Sequence, residues 1–352
     1  MPLIVDGGTP THWAERQSRS FSLSDLGMSA KCTRIALINN MPDPALEDTE
    51  LQFFELLDAA SGDSPVLLRL YSLTGVPRTD RGMPHLNKFY TSMSDLWNRR
   101  FDAVIMTGTE PHHADLCEEP YWNELVKVLE WAEDNTVSTI LSCLAAHAGV
   151  LHSDGIQRHA LPDKQFGVFE FTRTAEHALT RSYPEVVRFP HSRWNEVRAG
   201  DLSCCGYSVL TESRQAGVDL FVKKKRKSLF VHFQGHPEYG KHTLLKEFRR
   251  DIKRFLQRER ETYPSMPRGY FDANAAEPLS AFRERALLDR NEEAMATFPD
   301  NLLDLAESSW HSPALCVYQN WLRYIASRSE LLAFPALAEF QEHGQRKRSA
   351  LR

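Results

Sequence analysis

One cysteine sits where a β-branched, apolar run gives way to helix formers. In Thr136–Val150 (TVSTILSCLAAHAGV), Val137, Thr139 and Ile140 precede Cys143, and Leu144, Ala145 and Ala146 follow it. A strand that turns abruptly into a helix lifts the residue at the bend out of the sheet and aims helix N–H groups at whatever lies beside it. The positive helix end favours a thiolate, and an oxyanion formed next to it, the two needs of a cysteine nucleophile. A small buried cysteine closing a strand would give the same local pattern, so a partner has to decide. Ser228–Gly240 (SLFVHFQGHPEYG) supplies one: the apolar strand Leu229, Phe230, Val231, Phe233 ends in Gly235-His236-Pro237-Glu238. Along an extended segment residues i and i+2 face the same way, and Pro237 stiffens the link, so His236 and Glu238 lie side by side. A carboxylate beside an imidazole fixes its tautomer and stabilises its protonated form. Cys143, His236 and Glu238 are therefore the expected triad.

These residues need a scaffold that brings strand ends together. Thr33–Asn39 reads as a short buried strand running into Asn40-Met41-Pro42, followed by a helix bearing Leu46, Phe53, Phe54, Leu56 and Leu57, with Glu47 and Asp48 in its first turn. Val66–Tyr71 and Asp102–Met106 are further strands, and His85–Arg100, Glu119–Glu133 and Thr243–Arg260 are expected to be helical. Buried strands alternating with covering helices predict an α/β fold, an open mostly parallel sheet flanked by helices, with its site past the carboxyl ends of the strands. The run Lys223–Lys227 lies between two strands and reads as a charged hairpin turn. His112, His113 and Asp115 occupy the polar loop after the third strand; neighbouring side chains diverge and no third ligand follows at a regular spacing, so no metal is expected.

Composition narrows the class. With 352 residues, 42% hydrophobic and 25% charged, the chain can bury a full core. Its apolar runs are strand-sized and its first residues lack a basic region followed by a long apolar one, which predicts a cytoplasmic protein and no membrane partner. A formal charge of −5 argues against a general nucleic-acid binder, and the six cysteines contain no Cys-x-x-Cys pair. Met1–Ala30 is expected to be an extended arm, and Gln341–Arg352 a frayed tail.

Several ordered stretches resemble the homoserine O-acyltransferase family of the methionine pathway, built on the class I glutamine amidotransferase-like (flavodoxin-like) fold. They are Ile35–Pro42 (IALINNMP), Thr49-Glu50 with Gln52, Met106-Thr107-Gly108, Tyr121-Trp122 through Glu130-Trp131, Ser138-Thr139 up to Cys143, Gly167-Val168-Phe169-Glu170, Pro190-His191-Ser192-Arg193, Gly235–Tyr239 and Arg250-Asp251. The resemblance implies an N-terminal arm over 1–30, a catalytic domain over 31–262, and a helical C-terminal cap and tail over 263–352, with a homodimer as a possible state. It also implies small-molecule substrates, L-homoserine and an acyl-CoA, and no bound cofactor. By position it places Lys164 and Ser192 at the substrate pocket and Arg250 on the amino acid's carboxylate. The residue that selects the acyl group, usually glycine in succinylating members and glutamate in acetylating ones, falls on His112. A histidine attracts the free carboxylate of a succinyl group where a glutamate would repel it, which leans the expectation from acetyl-CoA toward succinyl-CoA.

The resemblance implies an acyl-cysteine at Cys143, with His236 as base, and an oxyanion held by backbone N–H groups at Cys143 and near Asn39-Asn40. Two departures from the family pattern lie near the site: Asp43-Pro44 replaces the basic residues that often follow Met-Pro, and Leu144 replaces a bulkier residue. They leave homoserine and serine both open as acceptors. A glutamine amidotransferase shares the Cys, His, Glu order but expects glycine on each side of the cysteine, where this chain has Ser142 and Leu144. A non-catalytic member of the fold is the remaining alternative.

Overall fold

Stretches such as Ile35–Ile38 and Ala103–Met106 offer no polar face to water, and each becomes an interior strand with its residues fully buried. The computed structural model describes residues 3–16, 32–299, 302 and 308–329. Its strands in chain order are β1 (Leu3–Asp6), β2 (Thr33–Ile38), β3 (Val66–Tyr71), β4 (Ala103–Met106), β5 (Ser138–Ser142), β6 (His159–Arg173), β7 (Val186–Glu196), β8 (Ser208–Val209), β9 (Thr211–Ser213), β10 (Gly217–Val218), β11 (Leu220–Lys225) and β12 (Ser228–Phe233). The large sheet has the order β1-β3-β2-β4-β5-β12-β11-β8, parallel from β1 through β12 and antiparallel over its last two pairings. A smaller antiparallel sheet, β10-β9-β6-β7, stands beside it.

Both faces of the large sheet are covered. Ile35 and Leu37 join one hydrophobic cluster, and Ala36 and Ile38 join the other, as the two-residue period of a strand requires. The helices Asp43–Ser61 and Thr243–Leu256 add Phe53, Phe54, Phe248 and Ile252 to the first cluster; Trp122–Asn135 adds Leu125, Val128 and Leu129 to the second. Registers Met106↔Leu141 and Ser142↔Phe233 bring the carboxyl ends of β4, β5 and β12 level. The segments following β5 and β12, which carry Cys143 and His236, therefore leave the sheet side by side.

The helix His311–Ser329 packs into the same core as β2. Trp321 Nε1 donates to Ser138 Oγ (2.9 Å), and the Tyr318 ring stacks against Phe233 with centroids 6.4 Å apart. The C-terminal region thus braces the two strands that deliver the triad. Among the described residues, no helix is long and apolar enough to cross a membrane.

Local readings differ in instructive places. Leu3–Asp6, expected within an irregular arm, is an edge strand: Leu3, Ile4 and Val5 are buried against β3, and Arg69 Nε donates to Asp6 Oδ2 (2.9 Å). The rest of the expected arm, from residue 17, and the tail lie outside the described residues. His85–Arg100 forms two short helices, Met83–Phe89 and Met93–Leu96, and Thr243–Leu256 ends before Arg260. The basic hairpin is tighter than expected: the lysines through Lys225 belong to β11, and Arg226 turns the chain with φ 44°.

Gly167 shows how β6 meets the C-terminal segment. It adopts φ +140°, and a Cβ there would land on the backbone of Arg268, whose N–H and C=O bond Phe166 O (3.0 Å) and Val168 N (2.7 Å). Gly167→Ala is expected to destabilise the fold by about 2–4 kcal/mol. Gly200→Ala, with open space around its Cβ in the helix Ala199–Cys204, should be neutral or mildly stabilising. Urea midpoints of the two variants at neutral pH check the contrast.

Candidate active site

Cys143 has φ 54° and ψ −115°, a backbone conformation that a residue with a side chain adopts only when its surroundings enforce it. Its N–H donates to Phe233 O (2.8 Å), and its C=O accepts from Ala146 N (3.0 Å) in the first turn of the helix Leu144–Asp154. Gly149 lets that helix close on the sheet, since a Cβ there would sit 2.5 Å from Leu141 Cδ1. The thiol is consequently held at the bend, half-buried, beside the helix start.

The expected oxyanion donors are already engaged. Besides the Cys143 amide, Asn39 N–H bonds Tyr71 O (2.8 Å) and Asn40 N–H bonds Thr107 Oγ1 (2.8 Å). Strand-end pairing takes these groups. The first-turn amides of Leu144 and Ala145 have no acceptor within their helix. Gly108 lies against this turn, where a Cβ would come 2.8 Å from Leu144 N.

His236 is fixed from several sides. Its N–H donates to Pro190 O (2.8 Å), and its Nδ1 lies 2.9 Å from Glu238 Oε1, which also accepts from Ser142 Oγ (3.3 Å). The Cys143 thiolate is the strongest influence raising this imidazole, ahead of Glu238; with Nδ1 on Glu238, Nε2 is the nitrogen left to serve the sulfur. Burial alone would push this imidazole down, but the Cys143 and Glu238 charges, with the hydrogen bond to Glu238, hold it well above its ordinary range. Gly235 makes the turn possible: a Cβ would come 2.6 Å from His191 Nε2 and 2.8 Å from both Asp219 Oδ1 and Pro190 O. The structure thus brings Cys143, His236 and Glu238 together.

Lys164, Ser192 and Arg250 converge on a second cluster around two acids of the helix Thr243–Leu256. Glu247 Oε2 accepts from Ser192 Oγ and from Lys164 Nζ (3.4 Å), and its Oε1 accepts from Tyr239 Oη (2.6 Å). Lys164 also reaches Asp251 (3.1 Å), and Arg250 Nε and Nη2 lie 3.0 and 2.9 Å from Asp251 Oδ1. Burial would raise the carboxyls of Glu247 and Asp251; Lys164 and Arg250 outweigh it and hold both below their ordinary range. Glu247 is a residue that sequence reasoning missed. Its signal was available in its spacing, three positions before Arg250 and on the side of the helix that buries Leu244 and Asp251. His112 joins neither cluster: its side chain is exposed, and its N–H donates to Glu119 Oε1 (2.6 Å).

Three other histidines are sealed in the core near these groups. His147 faces Gln234 Oε1 (3.0 Å), His191 stacks on Phe171 and His232 on Phe221. Burial pushes them down to about 3, about 4 and about 3 respectively. They stay neutral in the fold, whereas the unfolded chain protonates them below about 6.5. Stability should therefore fall as pH drops from about 6.5 toward 4, with a slope approaching about 4 kcal/mol per pH unit for three protons. His236 and His85, both raised, act oppositely and favour the fold below about 6.5. Urea titrations between pH 4.5 and 8, about the unfolded-histidine midpoint, should give greatest stability near neutrality.

A family profile described as homoserine O-succinyltransferase matches residues 25–331. The chain is 44% identical over 304 residues to the homoserine O-succinyltransferase of Rhodopseudomonas palustris, covering 86% of this chain and 91% of that one. It is 40% identical over 337 residues to that of Methylorubrum extorquens, covering 94% and 100%. Among solved structures, a glutamine amido transferase from Methylobacillus flagellatus aligns with TM-score 0.47 and 13% identity over 84% of this chain and 96% of its own.

Proposed function

Because the chain belongs to the homoserine O-succinyltransferase family, acyltransferases of methionine biosynthesis, we propose that it moves a succinyl group from succinyl-CoA to the hydroxyl of L-homoserine through an acyl-cysteine at Cys143. The observation that carries this reading is the Cys143 thiol held at a positive-φ bend, with its charge raising an imidazole that Glu238 orients at 2.9 Å.

In the first half-reaction the Cys143 thiolate attacks the thioester carbonyl carbon. The tetrahedral oxyanion faces the open amides of the first helical turn at Leu144 and Ala145. Collapse expels the coenzyme A thiolate, which takes the proton held by His236. In the second half-reaction His236, now neutral, accepts the proton of the homoserine hydroxyl as that oxygen attacks the acyl-cysteine. Collapse releases O-succinylhomoserine and restores the thiolate beside the imidazolium.

The Glu247 cluster suits the acceptor. A buried carboxylate held charged by its neighbours matches an ammonium, and the partly exposed guanidinium of Arg250 matches a carboxylate as a planar donor. Lys164 and Ser192 hold Glu247 in place. His112, exposed in the loop past β4, is assigned to the distal carboxylate of the succinyl group. Both substrates are soluble metabolites, in keeping with a cytoplasmic enzyme.

Intact-mass measurement after mixing with succinyl-CoA or acetyl-CoA tests the proposal. The wild type should gain one succinyl group, lost again on adding L-homoserine, and Cys143→Ala should gain none. A wild type that stays unmodified with both donors, or a Cys143→Ala variant that is still acylated, would end it.

A further inference from the structure

Tyr239 stands between the two clusters. Its ring lies on His236, with centroids 4.1 Å apart and planes 16° from parallel, and its hydroxyl donates to Glu247 Oε1 (2.6 Å). Its backbone is equally committed: the N–H donates to His236 O (3.2 Å), and the C=O accepts from Trp310 Nε1 (2.6 Å). Trp310 is itself buried, so the C-terminal region clamps this residue from the far side. Burial and the Glu247 charge raise the phenol well above its ordinary range, so it remains a donor at every working pH.

Glu247 already holds three donors before any ligand arrives. An ammonium binding there has to share the carboxylate with Tyr239, Ser192 and Lys164, and the Lys164 contact, at 3.4 Å, is the easiest to yield. The short Tyr239 bond is the one that persists, and whatever moves Glu247 moves the ring under the imidazole.

We propose that Tyr239 is a positioning residue for the second half-reaction: its hydroxyl holds Glu247 and its face holds His236, so an amino-acid ammonium settling on Glu247 sets the imidazole against the acceptor hydroxyl. This rests on the reading above that His236 takes the acceptor's proton. Existing contacts make the coupling short, since one side chain spans from the ammonium site to the general base. It also gives the tyrosine two separable functions, one in its hydroxyl and one in its ring.

Tyr239→Phe keeps the ring and removes the hydroxyl, and Tyr239→Leu removes both. Three readouts on the full-length protein separate them: the rate of succinyl adduct formation, the homoserine KM and kcat, and the pH profile of Cys143 alkylation by iodoacetamide, which needs neither substrate. Tyr239→Phe should leave adduct formation and the alkylation profile within about twofold of wild type while raising the homoserine KM about tenfold, because a buried carboxylate oxygen loses its donor. Tyr239→Leu should in addition move the alkylation profile and slow adduct formation by about tenfold or more, since the imidazole loses its support. An unchanged homoserine KM in Tyr239→Phe, or equal losses in both half-reactions, would overturn the inference. Absence of any succinyl adduct in the wild type would instead remove the acyl-cysteine proposal, while the alkylation profile of Tyr239→Leu would still decide whether the ring holds His236.

Discussion

Replacing His236 by asparagine is expected to lower kcat by about 10³–10⁴, the span lost when a general base is removed from a triad that acts as a unit. Asparagine can keep a hydrogen bond to Glu238 but cannot carry a proton between thiol, leaving group and acceptor hydroxyl. Both half-reactions use that shuttle, so adduct formation and its discharge to homoserine should both slow. Glu238→Gln makes a sharper companion. The second carboxylate oxygen of Glu238 is buried without a partner, so nothing there welcomes an amide NH2. The amide would turn that NH2 toward Nδ1 of the ring, 2.9 Å from Oε1 in the native site. Nδ1 would then accept, Nε2 would carry the proton, and the ring could no longer take one from the sulfur or the acceptor hydroxyl. A loss of about 10²–10⁴ is expected even though shape is preserved. Alkylation by iodoacetamide at neutral pH should slow in both variants, because the imidazolium that stabilises the thiolate is lost or weakened. Steady-state kinetics together with the alkylation profile check both.

The parts of this site that can be read from the sequence are those tied to strand ends. β4 and the Ile35–Ile38 part of β2 are buried and wholly apolar. β5 and β12 are buried throughout and mix apolar and β-branched residues with only Ser138, Ser142, Ser228 and His232, and Cys143 and His236 come after them. Their convergence needs only that β5 and β12 be neighbours, as they are. β1 escapes such reading because Leu3-Ile4-Val5 is short and acquires its strand character by pairing with β3, far away in the chain. The same holds for β6: its polar run Asp163-Lys164-Gln165 looks like a loop, yet it crosses to β7 through a register shift that sets Lys164 beside Ser192. Glu247 was only half legible for a related reason: its spacing sets it on the buried side of its helix but does not name its partners. On its own helix it is one charged residue among many, and its burial comes from Lys164, Ser192 and Tyr239, which the smaller sheet and the His236 loop bring to it. The oxyanion donors fall at the limit of such reading, because which amide stays free depends on pairings across strand ends.

Arg250→Ala is expected to lower kcat/KM for L-homoserine by about 10²–10³ while leaving succinyl adduct formation unchanged, a loss typical of an oriented charge contact to a substrate. The cluster sets Lys164 and Arg250 against Glu247 and Asp251, with Arg260 at the edge, 3.8 Å from Asp251. A zwitterionic amino acid adds one charge of each sign, so binding leaves the net charge of the cluster unchanged. The two cations differ in access: the Lys164 side chain is 12% exposed and enclosed between its acids, whereas Arg250 is 43% exposed and bonds Asp251 through Nε and Nη2. Nη1 carries none of those bonds and is left to meet a carboxylate. Arg250→Lys should recover only part of the loss, since a point charge cannot hold Asp251 and the ligand at once in a fixed plane. Lys164→Ala should behave differently. It leaves Glu247 and Asp251 buried with one cation fewer between them, and the fold itself should lose about 3–5 kcal/mol. A urea midpoint that falls in Lys164→Ala but hardly moves in Arg250→Ala, alongside a homoserine-specific defect in the latter, would separate the cation that builds the pocket from the one that meets the substrate. Equal stability losses in the two variants would show that Arg250 is structural and that the acceptor's carboxylate is bound elsewhere.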